Sequence, residues 1–314
     1  MPRVSVIVPA FNAARYLPET LASVERQTYR DWELLVADDA STDATADVAE
    51  NFSDRVKVLR TSVNAGPGAA RNRAIEASTA ELLAFLDADD LWLPEYLEQQ
   101  VALYDEHRAR THDVGLVVCD ARILGPDGYR AETYMEAVRF PREVTLTRLL
   151  VANPIFISTL SPRAVVEEAG GFFPPISGTE DYDLWLRIVE RGYRVVANRR
   201  PLAIYRLTPG AVSARLDEGA RALRSTYRRA LERGNLSWRQ RRIARRKLRF
   251  SRALEKKASL VGKRREGRLH YADVGRALPL LLLVKLEHPN QWLDSIRYVF
   301  GRPTSSSALD RPGV

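Results

Sequence analysis

The sequence predicts an α/β fold built on a parallel sheet, and three observations carry that prediction. Strand-like apolar runs alternate with amphipathic helical stretches through the first third of the chain, as crossover connections require. Successive runs end in polar clusters, which a parallel sheet would gather along one edge. At 314 residues, 45% of them hydrophobic, the chain is long enough to bury a full core in one large domain or two smaller ones.

The elements follow in order. Val4-Ser5-Val6-Ile7-Val8 reads as the first strand, ending at Pro9-Ala10-Phe11-Asn12. A helix is expected over about 14–27, with Leu17, Leu21 and Val24 on one face. Glu33 to Ala37 is the second strand and runs into Asp38-Asp39-Ala40-Ser41-Thr42-Asp43, where Ser41 or Thr42 is expected to cap a helix reaching about Phe52. Val56 to Leu59 is a third strand, and Asn64-Ala65-Gly66-Pro67-Gly68 leads into a helix carrying Arg71, Asn72 and Ile75. Leu82 to Leu86 is the fourth. Further on, 114–120, 121–124 and 154–160 read as strand, Gly125 to Gly128 as a turn, and Ser161-Pro162 as the start of a helix that Gly170-Gly171 ends. Glu180 to Ile188 is a helix opened by acids, where the helix dipole favours them whatever their function.

The most informative stretch is Asp87-Ala88-Asp89-Asp90, because it follows a buried strand directly. Hard divalent cations take oxygen ligands and commonly bind through one or two carboxylates together with substrate phosphates. An Asp-X-Asp at a strand's carboxyl end therefore suits a metal-diphosphate site. The competing structural reading makes Asp90 the cap of a helix opened by Pro94. Three strand ends, at Pro9 to Asn12, Asp38-Asp39 and Asp87 to Asp89, deliver polar clusters together, and that convergence favours a site.

Net charge is +8, which fits nucleic acid, anionic lipid or phosphorylated substrates equally and says nothing of fold. Much of it falls beyond Ser213, from Arg228 to Arg264, on a helical stretch whose apolar positions Ile243, Phe250, Leu254 and Val261 keep helical spacing. That face is expected to pack on the domain or to meet an anionic membrane surface. No nucleic-acid-binding motif accompanies the charge, so nucleic acid is not expected as a partner. Leu278 to Leu286 is too short to span a bilayer and, with Trp292 to Phe300, reads as an interfacial or docking hairpin. The lone Cys119 excludes an internal disulfide and points to a reducing compartment, and the apolar N-terminal run is stopped by Pro9 too soon for a signal peptide. A cytoplasmic enzyme, peripheral at the inner face of the membrane, is the resulting expectation.

Taken in order and spacing, residues 4–12, Glu33 to Thr42, Asn64-Ala65-Gly66 with Ala70-Arg71-Asn72, Asp87 to Asp90 and Gly178-Thr179-Glu180-Asp181 resemble the family 2 glycosyltransferases, enzymes of the GT-A fold. The resemblance covers roughly residues 2–213. It implies a Rossmann-like mixed sheet flanked by helices, with a catalytic domain over 1–215; composition sets a basic helical region over 216–302 and a disordered tail over 303–314 beyond it. It further implies a nucleoside-diphosphate sugar donor, typically UDP, a manganese or magnesium ion, and a saccharide or lipid-linked acceptor in cell-surface polysaccharide or glycolipid assembly. By the same resemblance Asp39 hydrogen-bonds the base, and Asp38 with Pro9, Ala10, Phe11 and Asn12 shapes that pocket. Arg71 lies near the nucleotide, Asp87 and Ala88 near the donor sugar, Asp89 on the metal, and Asp181 acts as catalytic base. Single displacement by an alcohol deprotonated by Asp181 would invert the anomeric centre.

Two departures bear on this reading. Ala40 stands where relatives commonly have Gly, which matters little if the backbone angle there is negative. Thr208 stands where many have His, which would leave a metal or phosphate site one ligand poorer. Lack of a Gln-X-X-Arg-Trp element and of membrane-spanning segments favours single addition over processive synthesis. Of the rival readings, a dinucleotide-dependent oxidoreductase lacks its Gly-X-Gly-X-X-Gly cradle after the first strand. A nucleotidyltransferase would want a glycine-rich basic loop there. A non-catalytic interaction module recruited through the basic helices is opposed by the intact acids.

Overall fold

The computed structural model describes residues 1–208 and 216–265, with side chains from 1–208 and 218–260. Strands β1 (Val4–Ala10), β2 (Trp32–Asp38), β3 (Val56–Arg60) and β4 (Leu82–Phe85) alternate with helices α1 (Leu17–Glu25), α2 (Thr45–Glu50) and α3 (Pro67–Ala77). β1 pairs in parallel with β2 and β4, and β2 with β3. Every residue of β1 is buried, as a central strand covered on both faces requires. Ala10 lies opposite Asp38 and Ile7 opposite Phe85, so the segments after β1, β2 and β4 leave the sheet at one edge.

The sheet then turns mixed. After β5 (Leu91–Trp92) and α4 (Tyr96–Arg108) come β6 (Val114–Gly125), β7 (Gly128–Thr133), α5 (Tyr134–Ala137), α6 (Leu146–Val151), β8 (Thr159–Pro162), α7 (Arg163–Glu168), α8 (Glu180–Glu190) and β9 (Arg194–Arg206). The order is β3-β2-β1-β4-β8-β6-β9-β5, with β7 added on β6. β8 is the antiparallel joint between the parallel half and β6. Helices α9 (Leu216–Glu232) and α10 (Trp238–Arg265) pack on each other and α10 on α6, and Tyr227, Ala230, Leu236 and Ala244 join the hydrophobic core. The basic helix therefore docks one face on the protein. Among the described residues no helix is long and apolar enough to cross a membrane. The expected hairpin over 278–300, the tail from Pro303, and the side chains of Val261 and Arg264 lie outside the residues described.

Several local expectations are corrected. Neither Ser41 nor Thr42 caps α2: the helix begins at Thr45, whose N–H donates to Asp43 at 3.0 Å, while Ser41 and Thr42 bond Asn12. Ser161 does not cap a helix but lies in β8, where its hydroxyl donates to the Gly115 carbonyl at 2.7 Å. Of the run 154–160 only the last two residues are strand. Asp90 does not cap either, since α4 starts at Tyr96. Ala40 has φ +62°, so the condition under which its replacement of Gly is harmless is not met.

Candidate active site

The turn after β1 is tied to the turn after β2 by Asn12. Its N–H donates to Ser41 Oγ at 2.9 Å and its side-chain oxygen accepts the Thr42 N–H at 2.9 Å. Asn12 reaches this geometry with φ +49°, a left-handed conformation that Asn tolerates better than most residues. Phe11 is half exposed above the edge. Asp39 is buried and accepts the N–H groups of Ala65 at 3.0 Å and Gly66 at 2.7 Å, which joins β2 to the N-terminus of α3. Gly66, at φ +87°, makes that turn possible. Asp38 is buried behind, outside the lining of the cleft.

Asp87, Asp89 and Asp90 follow β4, and one carboxylate oxygen from each lies within 4.8 Å of the other two. Burial, then repulsion from Asp87, raises the Asp89 carboxyl above its usual range. Burial and the same neighbours raise Asp90 much further. Three crowded oxygen donors that oppose one another's ionisation suit a hard divalent cation, which would neutralise them. Asp90 also accepts the Arg206 N–H at 2.8 Å, fixing the cluster to β9. Thr208 donates to Asp89 at 2.9 Å.

Arg71 connects this cluster to α8. Its buried guanidinium donates to Asp87 at 2.6 Å and to Glu180 at 2.7 Å. Glu180 accepts in addition the Gly178 N–H at 2.7 Å. Asp181 is the next residue, lines the cleft half-buried, and accepts the Tyr182 N–H. Burial, followed by repulsion from Glu180, pushes its carboxyl up to about 7, against the opposing pull of Arg71. Such a group is a base near neutral pH, where a general base works best.

One cleft of about 950 Å³ holds all of this. Pro9, Ala10, Phe11, Asn12, Asp39, Arg71, Asp87, Ala88 and Asp89 line one end, and Asp181 lines the space beyond. There Tyr134, Phe156 and Tyr205 form an aromatic wall with ring centroids 5.2 to 5.9 Å apart. Burial raises the Tyr134 phenol most and the Asp181 charge raises it further, and both residues line this cleft.

A relative from Escherichia coli, UDP-Glc:alpha-D-GlcNAc-diphosphoundecaprenol beta-1,3-glucosyltransferase WfgD, is 31% identical over 188 residues, which is 60% of this chain and 70% of the relative. The profile of the family described as Glycosyl transferase family 2 matches residues 5–158. The chain belongs to glycosyl transferase family 2. Its fold is that of solved glycosyltransferases. Staphylococcus aureus TarS 1-349 in complex with UDP-GlcNAc superposes with a TM-score of 0.62 at 22% identity, over 95% of this chain and 81% of that one. The mannosyltransferase PcManGT from Pyrobaculum calidifontis, in complex with GDP-Man and Mn2+, gives 0.63 at 20%, over 96% and 85%. The GT-A fold expected from the sequence is thereby shown.

The glycosyltransferase also carries cleft residues to which the sequence assigned no place in the site. Tyr16, Tyr134, Phe156, Tyr205, Tyr227 and Lys247 line it. They come from elements far apart in sequence, so spacing gives no signal for them. Arg71, expected beside the nucleotide, lines the cleft, and its guanidinium nitrogens also serve Asp87 and Glu180.

Proposed function

We propose that this family 2 glycosyltransferase transfers a sugar, with inversion, from a nucleoside-diphosphate donor to an acceptor hydroxyl, with UDP as the nucleotide. The observation that carries the reading is the single cleft in which the Asp39 edge, the Asp87-Asp89-Asp90 cluster and Asp181 meet. Asp39 and the Pro9 to Asn12 turn hold the nucleoside, and Ala88 and Asp87 border the sugar. Asp87, Asp89 and Asp90 would hold a manganese or magnesium ion, which supplies Lewis-acid neutralisation of charge on the departing diphosphate. Asp181 removes the acceptor proton as the oxygen attacks from the side opposite the leaving group, and one displacement inverts the centre. WfgD's name specifies a UDP sugar and a diphospholipid acceptor, and the TarS complex holds a UDP sugar. Manganese accompanies the nucleotide sugar in the mannosyltransferase complex.

The setting that fits is cell-surface polysaccharide or glycolipid assembly, with the protein cytoplasmic and peripheral at an anionic membrane through the exposed arginines of α10. The test is thermal stability against UDP, GDP, CDP and ADP, each with and without manganese. A ligand that binds only the folded state raises the midpoint, by about 2.7 kcal/mol at a hundred times its Kd. The expected result is a manganese-dependent shift with UDP, weakened in D39A and D89A. No shift with any diphosphate overturns the donor assignment.

A further inference from the structure

Helix α10 shows the cleft one turn of its surface. Lys247, Phe250 and Ser251 all line the cavity, at the i, i+3, i+4 spacing that puts them on one face. The Lys247 ammonium lies 5.7 Å from the Phe250 ring centroid, a cation-π distance that sets the lysine against the aromatic surface. This turn is firmly placed. Ala244, Ser251 and Ala253 are buried beside it, and Gln240 donates to Thr147 of α6 at 3.3 Å. Leu223 and Tyr227 of α9 line the same space.

The cleft is therefore polarised. The carboxylates Asp87, Asp89 and Asp90 with Arg71 and Arg206 occupy the donor end, Glu180 and Asp181 follow, and α10 adds a lysine set against the Phe250 ring. We propose that Lys247 binds an anionic phosphate ester on the acceptor and so determines which acceptors are used. This rests on the transferase reading above and names its acceptor class: a saccharide bearing a phosphate ester. Aromatic faces suit the apolar side of a sugar ring, and an ammonium against such a wall, half withdrawn from water, holds a phosphate as a point charge. Attraction to Lys247 anchors the phosphate at the α10 side of the cleft, whose lining also includes Asp181. Glu218 of α9 also lines the cleft, and a phosphate seated there must be held against it, which makes the lysine decisive.

The test needs no turnover. The full chain is titrated calorimetrically with octyl phosphate, neutral octyl glucoside and inorganic phosphate, all below micellar concentration, in the presence of saturating UDP and manganese. Octyl phosphate is expected to bind at least about tenfold more tightly than octyl glucoside. K247M abolishes that preference, K247R retains it, and binding of octyl glucoside is unchanged in both. Inorganic phosphate binding as tightly as octyl phosphate would assign the site to a free anion and overturn the acceptor role. So would a preference that survives K247M, or octyl phosphate that binds only when UDP is left out and thus sits in the donor end. Absence of sugar transfer from any UDP sugar would count against the transferase reading alone, because these affinities do not depend on it.

Discussion

Asp181 is held in surroundings that oppose its ionisation, and the sign of the consequence can be worked out. Its carboxyl titrates near 3.8 in the unfolded chain and is pushed up to about 7 in the folded one. Between those values the folded state binds more protons, so stability falls as pH rises through that window and stays lowered above it. The full difference corresponds to about 4 kcal/mol. Partial solvent exposure of the side chain reduces this to about 1–2 kcal/mol. D181N is therefore expected to melt several degrees above the wild type at pH 8 and level with it at pH 4, while losing transfer and keeping UDP binding. Equal melting at both pH values would remove the strained-base argument, and lost UDP binding would make Asp181 structural. In the wild type, kcat/KM is expected to rise with pH through an inflection near 7 as the base ionises. Ala40 is the second strained residue. At φ +62° its Cβ crowds the backbone, whereas Gly accepts that conformation freely. A40G is expected to stabilise the protein by about 0.5–1 kcal/mol in urea unfolding, and a loss of stability would contradict it.

At the scale of the element, the junction of α8 with α9 decides whether the far wall of the cleft exists. Asp183, fully buried on α8, accepts from Arg187 at 2.9 Å, Arg229 at 3.2 Å and Arg233 at 3.4 Å. Arg233 also pairs with Glu190 at 2.6 Å, and Thr179 bonds Thr226 at 3.0 Å. D183A leaves three guanidinium groups facing one another, and removing one member of a buried pair costs about 3–5 kcal/mol. Loss of that size in denaturant, together with a raised acceptor KM and an unchanged UDP affinity, is expected if the junction positions α9. Unchanged stability would show that the arginines find other partners. Beyond the Asp183–Arg187 pair, one helical turn apart, this network was not legible in the sequence, because Arg229 and Arg233 reach Asp183 across 46 and 50 residues. The parallel half was legible for the opposite reason: β1 and β4 are continuous buried runs, β2 is one but for the partly exposed Glu33, and their polar ends need no tertiary knowledge to recognise. β9 is not legible in the sequence because Pro201 breaks its pattern. Cys119 and Asp120 of β6 face Asn198 and Pro201, so Arg199 and Arg200 bulge out. Ser161-Pro162 has the local chemistry of a helix start, yet pairing with β4 and β6 holds Ser161 in strand, an instance of tertiary context overriding propensity. The acids of the site could be read from the turns that hold them. That Arg71 joins two of them could not.

For the whole molecule, the charge of +8 matters less than its placement on α10. Arg239, Arg242, Arg245, Arg246, Arg249 and Arg252 are exposed, and their spacing keeps them on the outward side of a helix whose other side docks on the core or borders the cleft. Trp238, 68% exposed, begins the same helix. An aromatic ring beside a row of arginines suits the headgroup layer of an anionic bilayer, where each basic residue near the surface contributes about 1 kcal/mol. The expected outcome is co-sedimentation with vesicles containing phosphatidylglycerol and none with pure phosphatidylcholine. Raising salt from 0.05 to 0.5 M should release the protein, since screening shortens the reach of exposed charge to a few ångströms. R242Q, R245Q and R249Q together should weaken vesicle binding about a hundredfold, the equivalent of roughly 3 kcal/mol, and leave UDP binding untouched. K247M, which alters the cleft-facing side of the same helix, should leave vesicle binding unchanged. Equal binding to neutral and anionic vesicles, or insensitivity to the triple change, would mean that the arginine face is simply solvated and that acceptors reach the cleft from solution.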